Sequence, residues 1–197
     1  MSDLTLITHV YNAQEGIDHH VALWKRYDPA LLAKLEFIVI DDCSNPPLQV
    51  DRGPLNLRLL RVNDDIDWNM PGCRNLAVMQ ATSPWLLFFD VDNVTDELNI
   101  ARMVAAQPRL NRDTLYVFKR IHHGQEVDPH INTYLITRRG YFKAGGYDED
   151  FAGHYGYEDV VFRNMWRKYV GSEVLLADIA SRHAEFHEGD ALMAEGF

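Results

Sequence analysis

The chain has 197 residues, of which 47% are hydrophobic, enough for one globular domain with a real core. Its formal net charge of -10 argues against a nucleic-acid binder, which would carry a basic stripe, and makes an anionic membrane surface a poor direct partner. No basic and apolar leader opens the chain, no run nears the ~18 apolar residues of a membrane span, and Cys43 and Cys73 make no disulfide framework, so the expectation is a cytoplasmic protein with free thiols.

Leu4 to Val10 is a short apolar run that reads as a strand ending in the loop Tyr11-Asn12. Ile17, Val21 and Trp24 recur at helical spacing, which predicts a helix over about 14–27, interrupted by Asp28-Pro29. Phe37 to Ile40 is a strand stopped by the loop signal Asp41-Asp42-Cys43-Ser44-Asn45-Pro46-Pro47. Leu57 to Val62 is a third strand, and Pro71 opens a helix running to about Ala81. Trp85 to Phe89 is a fourth strand, after which Thr95 is placed to cap a helix. Leu115 to Phe118, Thr133 to Thr137 and Val174 to Ile179 are further strands. Glu158 to Tyr169 is a helix with Val161, Phe162, Met165, Trp166 and Tyr169 on one side. Strands alternating with helices imply an α/β domain with a largely parallel sheet, whose ligands sit beyond the carboxyl ends of the strands. Tyr11-Asn12, Asp41-Asp42 and Asp90-Asp92 are therefore expected on one edge.

Three sets of residues could carry chemistry. Asp90 and Asp92, if extended, point to the same side, where two carboxylates repel unless a cation lies between them. Hard oxygen ligands suit Mg²⁺ or Mn²⁺; the alternative is a solvated strand-end turn. Glu158 and Asp159 follow a segment of interleaved glycines and aromatics and fall in the first turn of a helix. The helix dipole there keeps a carboxylate ionised, fit to accept a proton from an attacking hydroxyl. His183, with His187 four residues on, lies just past the last predicted strand and could complete a metal site. The pairs His19-His20 and His122-His123, in a helix and a loop, receive no ligand role.

Taken in order, these segments resemble a GT-A glycosyltransferase over about residues 3–187. Thr8-His9-Val10-Tyr11-Asn12, Ile38-Val39-Ile40-Asp41-Asp42-Cys43-Ser44, Cys73-Arg74-Asn75-Leu76-Ala77 and Leu87-Phe88-Phe89-Asp90-Val91-Asp92 are similar to motifs of the family 2 transferases. Lys143-Ala144-Gly145-Gly146-Tyr147-Asp148-Glu149 and Tyr155-Gly156-Tyr157-Glu158-Asp159 look like C-terminal segments of the β-1,4-galactosyltransferases and polypeptide GalNAc-transferases, with Tyr155 where those families have Trp. The resemblance implies a single Rossmann-like GT-A domain over 1–197, with a nucleotide-binding half to about 95 and an acceptor half from about 96. It implies a UDP-sugar donor and a saccharide, lipid-linked or protein acceptor. By that likeness Asp42, with Thr8 and Asn12 nearby, binds the uracil or ribose side of the nucleotide. Arg74 faces the diphosphate, and Asp90 touches ribose or metal. Asp92 and His183, preferred over His187, bind Mn²⁺ or Mg²⁺. Asp159 is the base and Glu158 positions hydroxyls.

The chain stops soon after His187, which points to a homo-oligomer or a large acceptor. Loops around 64–70 and 180–190 are expected to order on nucleotide binding. The reaction expected is inverting. A retaining GalNAc-transferase-like enzyme and a non-catalytic nucleotide-sugar-binding module remain alternatives. A nucleotidyltransferase would carry a Gly-rich basic loop where this chain has His9-Val10-Tyr11-Asn12-Ala13.

Overall fold

Leu4–Val10 (β1) and Leu35–Asp42 (β2) run parallel at the centre of the molecule, and β2 is buried along its whole length. The structure, a computed structural model, describes residues 2–186. Leu57–Val62 (β3) and Trp85–Phe88 (β4) extend the parallel array on either side, giving the order β3-β2-β1-β4. Beyond β4 the sheet continues with Tyr134–Thr137 (β8), Leu115–His122 (β6), Glu173–His183 (β9) and Asn93–Val94 (β5). A short strand, Gln125–Val127 (β7), forms a hairpin on β6. Only β5, β7 and β8 oppose the common strand direction, so the sheet of the described residues is mostly parallel.

Helices cover both faces, and strand alternation supplies each with its own core. Leu6, Phe37, Val39 and Leu87 meet Ile17, Val21 and Trp24 of Gln14–Trp24 (α1) and Ile100 and Met103 of Glu97–Ala106 (α4). Ile7, Ile38, Leu86 and Phe88 meet Cys73 and Ala77 of Met70–Gln80 (α3), Tyr141 of Arg138–Ala144 (α5), and Phe162 and Trp166 of Glu158–Tyr169 (α6). Each fully buried large apolar side chain contributes roughly 1.5–3 kcal/mol. Helices α5 and α6 approach closely because position 140 is glycine; a Cβ there would lie 2.4 Å from Trp166 Cη2. Among the described residues no helix is long and apolar enough to cross a membrane.

Several boundaries differ from the sequence expectations for local reasons. Asp28-Pro29 begins a short helix, Pro29–Leu32 (α2), because the Asp28 carboxylate accepts the Ala30 amide at 2.7 Å. Asp96, not Thr95, caps α4, accepting the Asn99 amide at 2.9 Å. Helix α5 and strand β7 were not expected; α5 is capped by Thr137 Oγ1, which accepts the Gly140 amide at 3.1 Å. On α6 the buried set includes Arg163, while Tyr169 is exposed.

The last strand is longer than Val174–Ile179 and contains a bulge. In its parallel pairing with β6, Phe118 faces Leu176 but Lys119 faces Ala180, so residues 177–179 are inserted on the β9 side. The bulge is tied to α4: Arg102 donates to the Asp178 carbonyl at 3.0 Å and Asn99 Oδ1 accepts the Ala180 amide at 3.3 Å. His183 consequently lies on β9, opposite Asn93 of β5, and residues 180–183 of the expected mobile loop are strand. His187 lies outside the described residues.

Candidate active site

The carboxyl ends of β1, β2 and β4 form one edge. The loops after β1 and β2 are pinned together: the Asn12 amide donates to Ser44 Oγ at 2.9 Å, and Asn12 Oδ1 accepts the Asn45 amide at 2.8 Å. Asn12 has φ 52, a left-handed conformation that Asn tolerates better than most residues. Thr8 is buried within β1, its hydroxyl 3.4 Å from the His9 carbonyl. The adjacent acids of β2 point to opposite faces and meet different surroundings. Burial pushes the Asp41 carboxyl up, but bonds from Ser44 and Leu48 and the Arg61 guanidinium outweigh it and hold it below the usual range. Asp42 has no cationic partner among these contacts; burial dominates the hydrogen bonds from Cys73 and Asn69 and raises its carboxyl above the usual range.

Arg74 organises the middle of the site. It is 1% exposed, and its guanidinium reaches Asp90 Oδ1 at 2.7 Å, the Tyr147 hydroxyl at 2.9 Å and the Asn132 carbonyl at 3.2 Å. The rings of Phe88, Tyr134 and Tyr147 lie within 5.9 Å of the same group. Arg74, expected at the diphosphate, is thus engaged beneath the surface and fixes Asp90. Burial raises the Asp90 carboxyl, yet Arg74, His130 and His9 together bring it below the usual range. The second Asp90 oxygen lies 3.7 Å from His130 Nδ1. His9 is half-buried, its Nδ1 enclosed and unpartnered, and desolvation, aided by Arg74, pushes it down to about 4.

Residues 90–93 do not continue the strand. They form a turn closed by the Asn93 amide on the Asp90 carbonyl at 2.8 Å, so strand alternation does not orient Asp90 and Asp92. The two carboxylates nevertheless share a neighbour, since both act on His130, which burial holds below the usual histidine range. The antiparallel pairing of β5 with β9 brings His183 to this turn: its Nδ1 is 3.2 Å from Asp92 Oδ2. Asn93 donates to Asp92 Oδ1 at 2.7 Å, and the Ala184 amide to the Asp92 carbonyl at 2.7 Å. Neighbouring donors around an octahedral Mg²⁺-like ion at ~2.1 Å lie about 3 Å apart, so the spacing of Asp92 and His183 fits a shared cation. Arg120 Nη2 lies 3.2 Å from the same His183 nitrogen and places a positive charge beside the pair.

The second half of the site is built on loops with left-handed turns. Gly145 and Gly146 have φ 96 and 74 and end α5. Asn75 of α3 then fixes Tyr147, whose hydroxyl reaches Arg74. Gly156 and Tyr157, at φ 95 and 71, deliver the chain to the N-terminus of α6. There Glu158 is buried with Oε2 unpartnered; burial and then Asp159 raise its carboxyl, while Arg74 lowers it. Asp159 is half-buried beside it, its Oδ1 accepting the Val160 amide at 2.6 Å. The loop before α3 docks here, with Trp68 4.5 Å from Tyr155 ring to ring and the Gly153 amide on the Asp67 carbonyl at 2.8 Å.

Sequence reasoning missed His9, His130, Asn132, Tyr134 and Arg120. Only His9 lay inside a recognised motif; His130 and Asn132 sit in a connection without periodicity.

The comparison with known families matches residues 5–159 to glycosyl transferase family 2. The chain belongs to glycosyl transferase family 2. This places it among the glycosyltransferases, and the Gly145–Tyr147 and Glu158-Asp159 segments fall inside the family 2 match. No curated protein matches this chain. It is similar to S. aureus TarS 1-349, with TM-score 0.76 and 18% identity over 92% of this chain and 60% of that one. The S. aureus TarS 1-349 complex with UDP-GlcNAc gives 0.77 and 18% over 99% and 61%. S. aureus TarS itself gives 0.73 and 17% over 93% and 37%. The domain therefore spans about 60% of TarS 1-349, and at this identity the likeness is one of fold.

Proposed function

We propose that the domain moves a sugar from a UDP-sugar to an acceptor hydroxyl with inversion. The observation that carries this is the pairing of Asp92 with His183 at 3.2 Å in the turn after β4, with Asp90 held alongside by Arg74, in a domain whose helix α6 presents Glu158 and Asp159. S. aureus TarS 1-349, which shares the fold, has been solved with UDP-GlcNAc and with UDP, which supports the donor class. In this reading the half up to about residue 95 holds the nucleotide and the rest holds the acceptor. Asp42 and Asn12 receive the nucleoside, with Thr8 behind them. Asp92 and His183 hold Mn²⁺ or Mg²⁺, with Asp90 fixed alongside by Arg74. Bound there, a divalent cation supplies positive charge to the departing diphosphate.

Asp159 accepts the proton of the acceptor hydroxyl as its oxygen attacks the anomeric carbon, and the bond from that carbon to the UDP oxygen breaks on the far side. The reacting centre passes through an oxocarbenium-like state, so alignment of the two substrates supplies much of the rate. Glu158 holds a substrate hydroxyl. One observation favours exchanging the two acids: Glu158 is the buried one, and its raised carboxyl is the better matched base.

A UDP-release assay with UDP-sugars and Mn²⁺, followed by NMR of the product, tests the proposal. Inverted product from the wild type, lost in Asp159→Asn with UDP binding kept, is expected. Full activity in Asp159→Asn with loss in Glu158→Gln would move the base to Glu158. Retained configuration would overturn the inverting reading, and UDP-sugar binding without turnover would leave only a binding module.

A further inference from the structure

His122 ends β6 and His123 follows in the tight turn to β7. Successive residues of a strand point to opposite faces, but His123 has φ 48, and this left-handed step folds the two rings together at 4.1 Å. The segment after β9 brings Glu185 to them, with Oε1 3.3 Å from His123 Nε2. One ligand atom from each of His122, His123 and Glu185 can be chosen so that all lie within 4.8 Å of one another. With His183 they line an open cavity of about 300 Å³.

We propose that His122, His123 and Glu185 bind a Zn²⁺-class transition metal at a site separate from Asp92. Two imidazoles and one carboxylate suit Zn²⁺ better than Mg²⁺, and three protein ligands leave a fourth position for water. Tetrahedral donors at ~2.0–2.1 Å stand about 3.3 Å apart, which is the spacing of His123 and Glu185. Closing the remaining gaps asks only for rotation of exposed side chains, since His123 and Glu185 are 71% and 60% exposed. The ion ties the β6–β7 turn to the segment that follows β9. The His122 ring, 4.6 Å from that of His183, carries this restraint to the residue that faces Asp92. The inference goes beyond the transfer reaction and does not depend on it.

The test is calorimetric titration of Zn²⁺ into the tag-free full chain carrying Asp92→Asn, which removes the carboxylate of the other cation site. One equivalent is expected to bind and to raise Tm. Adding His123→Ala or Glu185→Gln, both at exposed positions, is expected to weaken binding tenfold or more and abolish the Tm rise. Unchanged affinity in both double variants, or no Zn²⁺ binding in Asp92→Asn itself, would overturn the proposal.

Discussion

The side chain of Asn75 grips the backbone of Tyr147 at both polar groups, accepting from its amide at 3.0 Å and donating to its carbonyl at 2.9 Å. The neighbouring Gly146 has φ 74, and a Cβ there would sit 2.9 Å from Asn75 Oδ1. Gly146→Ala is expected to cost about 1–3 kcal/mol from backbone strain and the displaced amide. Gly145→Ala, at φ 96 in open space, carries the backbone term alone and should cost less. Urea unfolding of both variants checks this; equal losses would mean that the Asn75 contact does not restrain the loop.

Removing the Arg74 guanidinium leaves Asp90 and two tyrosine hydroxyls without their buried partner. Arg74→Met is expected to destabilise by about 3–5 kcal/mol. Asp90→Asn in the same chain should return part of that loss, because the uncompensated charge is gone. A double-mutant cycle in denaturant measures the coupling, and strict additivity would show that the pair is energetically idle.

His20 is 1% exposed, its Nε2 2.8 Å from the Val91 carbonyl, and burial pushes it down to about 4. The unfolded chain takes up this proton near pH 6.5, whereas the folded chain stays neutral until about pH 4. Stability is therefore constant above the unfolded value and falls as pH drops through that window, by an amount on the order of 3 kcal/mol. His9 adds a loss in the same direction. Denaturation midpoints at pH 7 and pH 4.5 check the slope, and His20→Gln should flatten it.

Asp92→Ala and His183→Ala are each expected to weaken Mn²⁺-dependent UDP binding tenfold or more, while Asp159→Asn keeps it. Thermal shift with UDP, with and without Mn²⁺, reads the difference. A Mn²⁺-dependent shift of wild-type size in Asp92→Ala would place the cation elsewhere.

The strands were legible where both faces are covered: Leu4–Val10 reads as a mainly apolar run and Trp85–Phe88 as an unbroken one because each side meets its own layer of helices. Helix α6 was legible from its apolar spacing and the glycines before it. Helix α5 was not, since Arg138-Arg139-Gly140 is a weak opening and the helix depends on the Thr137 cap and the fit of Gly140 under Trp166. The convergence of Tyr11-Asn12 with the acidic segments Asp41-Asp42 and Asp90-Asp92 followed from topology. The partners that set their charge did not: Arg61, Arg74 and His130 reach them from elements that no local pattern connects. His122-His123 looked like an idle pair because one left-handed residue undoes the rule that neighbours diverge.

The inserted residues 177–179 of β9 act as a ruler. If the strand kept the register of Phe118 with Leu176, Ile121 would face Ile179, whereas it faces Arg182. An insertion of odd length also swaps which side of the strand each later side chain occupies. Removing or adding a single residue there, with the rest of the fold intact, would offer Ala184 or Arg182 to Asp92 in place of the imidazole. Chains of this architecture can therefore gain or lose a cation ligand by a change in length alone, with no residue substituted.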